Sequence, residues 1–248
     1  MITIKSPEEI ALMAESGRLT KEVLEVMEKS VKAGMTTKQL DKIAYDYIKS
    51  CGAYPSFLGY SGYPASTCIS VNEMVVHGIP SDDIVIREGD IVSVDVGVVY
   101  NGWQGDAART FLIGQVSEEK RKLVDVTREC FFKAVEDLKV GTPLGDIGFK
   151  VQSHAEANGF SVVRALVGHG IGREMHEDPS VPNFGKKGTG IRLKSGMVIA
   201  IEPMINAGTY QVEFLPDGWG VRTKDGKPSA HYENTVAITD EGVKILTL

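Results

Sequence analysis

A ten-residue run, Ile91-Val92-Ser93-Val94-Asp95-Val96-Gly97-Val98-Val99-Tyr100, constrains this chain more than any other stretch. It is rich in β-branched residues and apolar at odd and even positions alike, the pattern of a strand buried on both faces. Asn101-Gly102 follows, the strongest short signal for a two-residue hairpin turn, and Trp103 to Phe111 supplies the returning strand. With the turn at 101 and 102, paired positions sum to 203. Asp95 then faces Ala108, and Asp106 lies two residues away on the same face, a diagonal neighbour at roughly 7–8 Å between Cα atoms. Two acids so placed on an apolar hairpin either reach solvent or repel each other until a proton or cation lies between them. The apolar neighbours Val94 and Val96 favour the second reading.

A second apolar run, Met197-Val198-Ile199-Ala200-Ile201, ends on Glu202-Pro203. Arg87-Glu88-Gly89-Asp90-Ile91-Val92-Ser93-Val94-Asp95 matches Lys194-Ser195-Gly196-Met197-Val198-Ile199-Ala200-Ile201-Glu202 at an offset of 202 − 95 = 107. The same offset pairs Gly34 with Gly141, Leu40 with Ile147 and Gly52 with Gly159, so a helix with its preceding turn and closing glycine recurs. His77-Gly78-Ile79-Pro80 matches His176-Glu177-Asp178-Pro179 more weakly, at an offset of 99. The pattern predicts one domain over residues 1–248, built from two pseudo-symmetric halves at about 10–110 and 117–240, with a site where they meet.

Two further residues join the acids. His169 lies in Gly168-His169-Gly170-Ile171-Gly172, where glycines free the backbone to turn and leave the imidazole open to a metal or ligand. The spacing is not a dinucleotide fingerprint, and phosphate binding is the alternative use of such a loop. Glu233 falls in Ser229 to Ile238, a run of strand character in which it reads either as an exposed acid or as a site residue. Taken together, Asp95, Asp106, His169, Glu202 and Glu233 offer four carboxylates and one imidazole. That inventory suits two divalent ions of the manganese, iron(II) or cobalt type; structural zinc sites are usually cysteine-rich. A pair of ions about 3.5–4 Å apart is the usual apparatus of metal-assisted hydrolysis.

These residues resemble the type I methionine aminopeptidases, of the bacterial style, in the pita-bread metallopeptidase group. The resemblance spans nearly the whole chain. It rests on the Asp95 to Asp106 spacing of eleven, Gly168-His169-Gly170-Ile171-Gly172 followed by His176, Ile201-Glu202-Pro203, and Tyr232-Glu233-Asn234-Thr235. It implies an α+β pita-bread fold, a mainly antiparallel sheet covered by helices on one face. It implies that Asp106 and Glu233 bridge two ions, that His169 and Glu202 complete one, and that Asp95 chelates the other. It further implies that Glu202 shuttles a proton, His176 stabilises the oxyanion, and His77 bonds the scissile amide or helps the leaving amine. The methionine pocket would be formed by Tyr60, Tyr63, Cys68, His77, His176 and Trp219, with Phe57 and Met175 on its wall. Three positions depart from the common pattern: Phe57 where some members carry Cys, Met175 where Phe or Leu is frequent, and His231 where Gln is common. Each also reads plainly, Phe57 and Met175 as core filling and His231 as a surface strand residue.

The implied activity is removal of the initiator methionine from nascent polypeptides with a small second residue; Ile2 is large, so the chain is expected to keep its own Met1. The alternatives are a proline-specific (Xaa-Pro-type) peptidase of the same fold, which generally carries an extra N-terminal domain, and a non-catalytic binding paralogue, which would be expected to have lost ligands. The 31 residues from Glu202 to Glu233 leave no room for the helical insertion of type II enzymes, and the N-terminal extension of eukaryotic type I members is missing. The start lacks a signal-peptide core, no segment reads as membrane-spanning, and three widely spaced cysteines fit neither a disulfide framework nor a zinc ribbon, which points to the cytoplasm. A net charge of −6 with signs interspersed argues against a specific nucleic-acid site. The expected partners are nascent N-termini and the ribosome near its exit tunnel, with the protein itself a monomer. His154, on a polar helix face before Asn158-Gly159, is assigned no role.

Overall fold

The computed structural model describes residues 1–248. Helix α1 (Pro7–Ser30) opens with a capping box between Ser6 and Glu9 and a proline in its first turn, and α2 (Thr37–Ser50) with a second box between Thr36 and Gln39. Strands β1 (Tyr54–Pro55), β2 (Thr67–Val71) and β3 (Met74–Val76) lead to the long hairpin β4 (Ile91–Tyr100) and β5 (Trp103–Leu112). Helices α3 (Glu118–Val135) and α4 (Gly145–Ala157) begin the second half. Strands β6 (Ser161–Val162), β7 (Gly168–Gly170), β8 (Glu177–Val181), β9 (Val198–Ile201) and β10 (Met204–Asn206) follow. The chain closes with β11 (Val212–Phe214), β12 (Val221–Thr223), β13 (Ser229–His231), β14 (Asn234–Thr239) and β15 (Gly242–Ile245). Only strands occupy the stretch from Glu202 to Glu233, and no helix is long and apolar enough to cross a membrane.

Every strand pairing is antiparallel. In the first half β4 pairs with β1, β2 and β5; in the second the order is β15-β14-β9-β7-β8. The hairpin has the register that its turn demands, Asp95 opposite Ala108, with Asn101 at φ 51° and Gly102 at φ 77° as a two-residue primed turn needs. Two large apolar clusters lie under the helix pairs. One joins α1 and α2 to β4 and β5 through Leu40, Ile48, Val92, Val94 and Phe111; the other joins α3 and α4 to the second-half strands through Phe131, Ile147, Ile199 and Val236.

The 107-residue offset recurs in the backbone. Gly34 and Gly141 have φ of 90° and 88°, Gly52 and Gly159 69° and 85°, Gly89 and Gly196 86° and 87°. Gly34 N–H donates to Ile86 O and Gly141 N–H to Leu193 O, each at 2.8 Å; Thr36 bridges Val85 as Pro143 bridges Arg192. Each of these pairs differs by 107. A left-handed glycine is the least costly way to reverse the chain after a helix, and both halves use it at the same place. Helix α3 stops at Val135, where Leu138 turns into the core and its N–H bonds Val135 O at 3.1 Å.

Candidate metal centre

The two sheets are tied together at the site. Ala108 and Glu233 exchange backbone hydrogen bonds at 3.4 and 3.0 Å, while Asp106 N–H donates to Thr235 Oγ1, whose hydroxyl donates back to Asp106 O. The β5 acid is thereby fixed against the C-terminal strands. The Ser229 to Ile238 run, expected as one strand, breaks at Tyr232-Glu233: β13 pairs with β10 and β14 with β9. Glu233 sits in the break, and Glu202 directly follows β9, whose last residue Ile201 pairs with Asn234. Its reading as an exposed acid is overturned, since it is 2% exposed.

Asp95, Asp106, His169, Glu202 and Glu233 all line one cavity. His169 Nε2 lies 3.6 Å from Asp106 Oδ2 and 3.7 Å from Glu202 Oε1, while its Nδ1 lies 2.9 Å from Gly170 O. The Nδ1–H donates there, so in the neutral imidazole, the form that binds a metal, the Nε2 lone pair faces the acids. Asp106, His169 and Glu233 form one group of donors within 4.8 Å of one another; Asp95, His231 and Glu233 form a second.

The electrostatics of these groups are in conflict. Burial, then the charges of Asp106 and Glu202, hold the Asp95 carboxyl well above the ordinary carboxylate range, and Glu233 is raised in the same way. Glu202 is pushed up to about 8, chiefly by burial and by Asp106 against the opposing pull of His169. Burial works to lower His169, but Asp106 and Glu202 outweigh it and lift the imidazole to about 9. Asp95 Oδ1, Asp106 Oδ1 and Glu233 Oε1 are buried and meet no hydrogen-bond donor. Oxygens so left cost about 1–3 kcal/mol each or more when charged, and a divalent cation answers all three at once. The donor set fits two such ions.

The cavity has a volume of about 120 Å³. Phe57, Tyr60, Tyr63, Cys68, His77 and Trp219 complete its wall, and His176 stands at its solvent-exposed rim. Cys68 faces Asp95 across the β2–β4 pairing, and Tyr63 packs edge-on against Trp219 with ring centroids 5.0 Å apart. His176 lies 4.2 Å from His169 between ring centroids, with its Nδ1 2.8 Å from the Tyr60 hydroxyl. His77 holds a left-handed backbone at φ 58°, a strained state for a non-glycine residue, directly after β3. Burial lowers its imidazole pKa, so it enters neutral.

Two residues fall elsewhere than expected. Met175 does not line the cavity: it is 1% exposed in the apolar cluster with Phe57 and Trp103, and a Cβ on Gly97 would come within 2.6 Å of its Cε. It fills core volume beside the pocket wall. His231 is no surface residue. It is 2% exposed, its ring faces the acids, and burial lowers its pKa to about 3. His154, assigned no role, pairs with Glu129 at 2.7 Å on the outside of α4 and α3.

Known proteins match this arrangement over the whole chain. The model of metallopeptidase family M24 matches residues 11–240. A protein of Clostridium acetobutylicum named methionine aminopeptidase is 55% identical over 248 residues, covering 100% of this chain and 99% of that protein. The Escherichia coli K12 protein of the same name is 46% identical, covering 100% and 94%. The crystal structure of methionine aminopeptidase from Thermotoga maritima superimposes with a TM-score of 0.98 at 46% identity, covering 100% of this chain and 99% of that one. Prolidase from Pyrococcus furiosus shares the fold at a TM-score of 0.74 and 25% identity, with 99% of this chain covering 65% of that one. The chain belongs to metallopeptidase family M24, on the branch of the methionine aminopeptidases.

Proposed function

We propose that this protein is a metal-dependent aminopeptidase that releases the N-terminal methionine from polypeptides whose second residue is small. The observation that carries the reading is the convergence of five metal-type donors, three with unanswered buried oxygens, on the floor of a cavity walled by Phe57, Tyr60, Tyr63, Cys68 and Trp219. Asp95, Asp106, His169, Glu202 and Glu233 would hold two divalent ions, cobalt, manganese or iron(II), which would supply Lewis acidity to the scissile carbonyl and to water. Glu233, which belongs to both donor groups, would serve both ions.

The remaining work belongs to the chain. Glu202 takes the proton of the attacking water as a carboxylate and returns it to the leaving amine. His176, at the rim, donates to the developing oxyanion, and neutral His77 bonds the scissile amide. Phe57, Tyr60, Tyr63, Cys68 and Trp219 enclose the methionine side chain, whose thioether favours aromatic edges.

The substrate also sets the place. Initiator methionine is present on nascent chains, so the working site is the cytoplasm near the ribosomal exit tunnel, with the enzyme acting as a monomer. Three free cysteines suit that reducing compartment.

The test is methionine release from Met-Ala-Ser and Met-Leu-Ser by metal-stripped protein, titrated anaerobically with Mn, Fe(II), Co and Zn. Metal-dependent cleavage of Met-Ala-Ser alone is expected. Cleavage of an alanyl-proline peptide in its place would make the protein a proline-specific peptidase, and no cleavage with any ion would make it a binding paralogue.

A further inference from the structure

Strand β13 delivers a second imidazole to the centre. Its backbone is pinned at His231, whose N–H donates to Thr110 Oγ1 at 3.0 Å and whose carbonyl accepts the Thr110 hydroxyl at 2.9 Å. The ring is thereby aimed at the acids rather than left to choose a rotamer in open space. It is 2% exposed, and neither Nδ1 nor Nε2 has a hydrogen-bond partner. Nε2 lies 3.9 Å from Glu202 Oε2 and 3.7 Å from Glu233 Oε2. Both separations are too long for a hydrogen bond. They are the separations at which His169 Nε2 stands from Asp106 Oδ2 and Glu202 Oε1, 3.6 and 3.7 Å.

Donors bound at roughly 2.1 Å to a common ion stand roughly 3–4 Å apart, nearer than unrelated groups and further than hydrogen-bonded ones. A histidine placed here only to fill volume would leave two buried polar atoms unanswered, at about 1–3 kcal/mol each. The donor groups give the arrangement its form. Asp106, His169 and Glu233 make one triad and Asp95, His231 and Glu233 the other, while Glu202 turns one carboxylate oxygen to each imidazole.

We propose that His231 is a sixth metal ligand, on the side of the centre that carries Asp95. The proposal rests on the metal-centre reading above and goes beyond its five ligands. It gives each ion one nitrogen donor, where the Asp95 side would otherwise be all oxygen. An imidazole there shifts preference away from manganese and towards iron(II), cobalt, nickel and zinc, which accept nitrogen more readily.

The experiment uses Co(II) as the probe, with metal-stripped wild type and His231→Gln titrated anaerobically by calorimetry. Wild type is expected to bind two ions. His231→Gln is expected to keep one affinity and to weaken the other on the order of 100-fold, at or beyond the upper end of the roughly 10–100-fold cost of removing an outer partner of a ligand. A second measurement needs no variant. Proton NMR of the cobalt-loaded wild type should show two strongly shifted exchangeable imidazole N–H resonances, one from His169 and one from His231. Wild type that binds two ions with only one such resonance, or a variant with both affinities unchanged, would overturn the sixth ligand and leave the five-ligand centre standing. Wild type that takes up no cobalt would overturn both.

Discussion

Two aspartates, each with a buried carboxylate oxygen, meet adjacent residues of β2 and are treated in opposite ways. Asp41, on α2 and 5% exposed, accepts from Ser66 N–H at 3.0 Å, Thr67 N–H at 2.9 Å and the Thr67 hydroxyl at 2.9 Å, with Lys38 Nζ 3.8 Å from its other oxygen. Asp95, on β4, faces Cys68, one residue further along the same strand, and its Oδ1 meets no donor. The first acid has its charge answered by the protein and pins a helix to a sheet. The second lies in a group of acids that the protein brings together without answering. Burial is common to both, so burial does not mark the site; the unanswered oxygens do.

The largest effect should come from breaking the unanswered set. Glu202→Gln is expected to lower turnover by about 10²–10⁴-fold, the usual loss on removing a general base, while some metal remains bound. In excess chelator the variant should melt no lower than wild type, because one of several mutually repelling acids has become neutral. Turnover on Met-Ala-Ser at saturating metal, metal content and a melt in chelator test this; near-normal turnover would leave Glu202 a ligand only. His77→Ala comes next, with a loss of about 10²-fold and unchanged metal content. A collapse of metal content would move His77 into the ligand set.

Asp41→Ala is the converse. It strands two buried N–H groups and a hydroxyl, so stability should fall by about 1–3 kcal/mol or more in a urea melt, with turnover per folded molecule unchanged. A loss of activity without a loss of stability would erase the contrast between the two acids.

Much of this was open to reading before the fold was seen, for reasons that differ by residue. Asp95 stands out because a β-branched run cannot hide a carboxylate, and the Asn-Gly turn sets its register against Asp106 from local geometry alone. The repeat was readable because left-handed glycines leave a fixed mark at fixed spacing. Asp41 gave no such sign: on an amphipathic helix its neighbours do not say whether donors wait across the gap, and Ser66 and Thr67 come from 25 and 26 residues away. Of the two readings of His231, the surface one fails because its burial comes from β10 and from Thr110 on β5, tertiary contacts with no local signature. Met175 was read as pocket wall where packing against Phe57 sets it behind, a difference of depth that no periodicity carries.

A third buried acid tests the rule from the middle ground. Glu177, at the start of β8 beside His176, is answered by a cation: Lys5 Nζ lies 2.7 Å from its Oε2, with side chains 4% and 10% exposed, and Thr3 also donates to it. Burial alone would raise this carboxyl, but Lys5 and Thr3 outweigh it and hold the pKa below the ordinary glutamate value of 4.5. Its folded pKa is therefore the lower one, so the unfolded chain takes up the proton first as pH falls, and stability is lost in that direction. The contribution is complete above pH 4.5 and gone below the folded pKa. Lys5→Met should cost on the order of 1 kcal/mol at neutral pH, between an exposed and a fully buried pair. Melting both proteins from pH 7 to pH 3 should show the gap closing below about pH 4.5, where wild type loses what the variant never had. A gap that widens towards acid would mean that Glu177 is held as the neutral acid, and would move it from the answered class to that of Asp95.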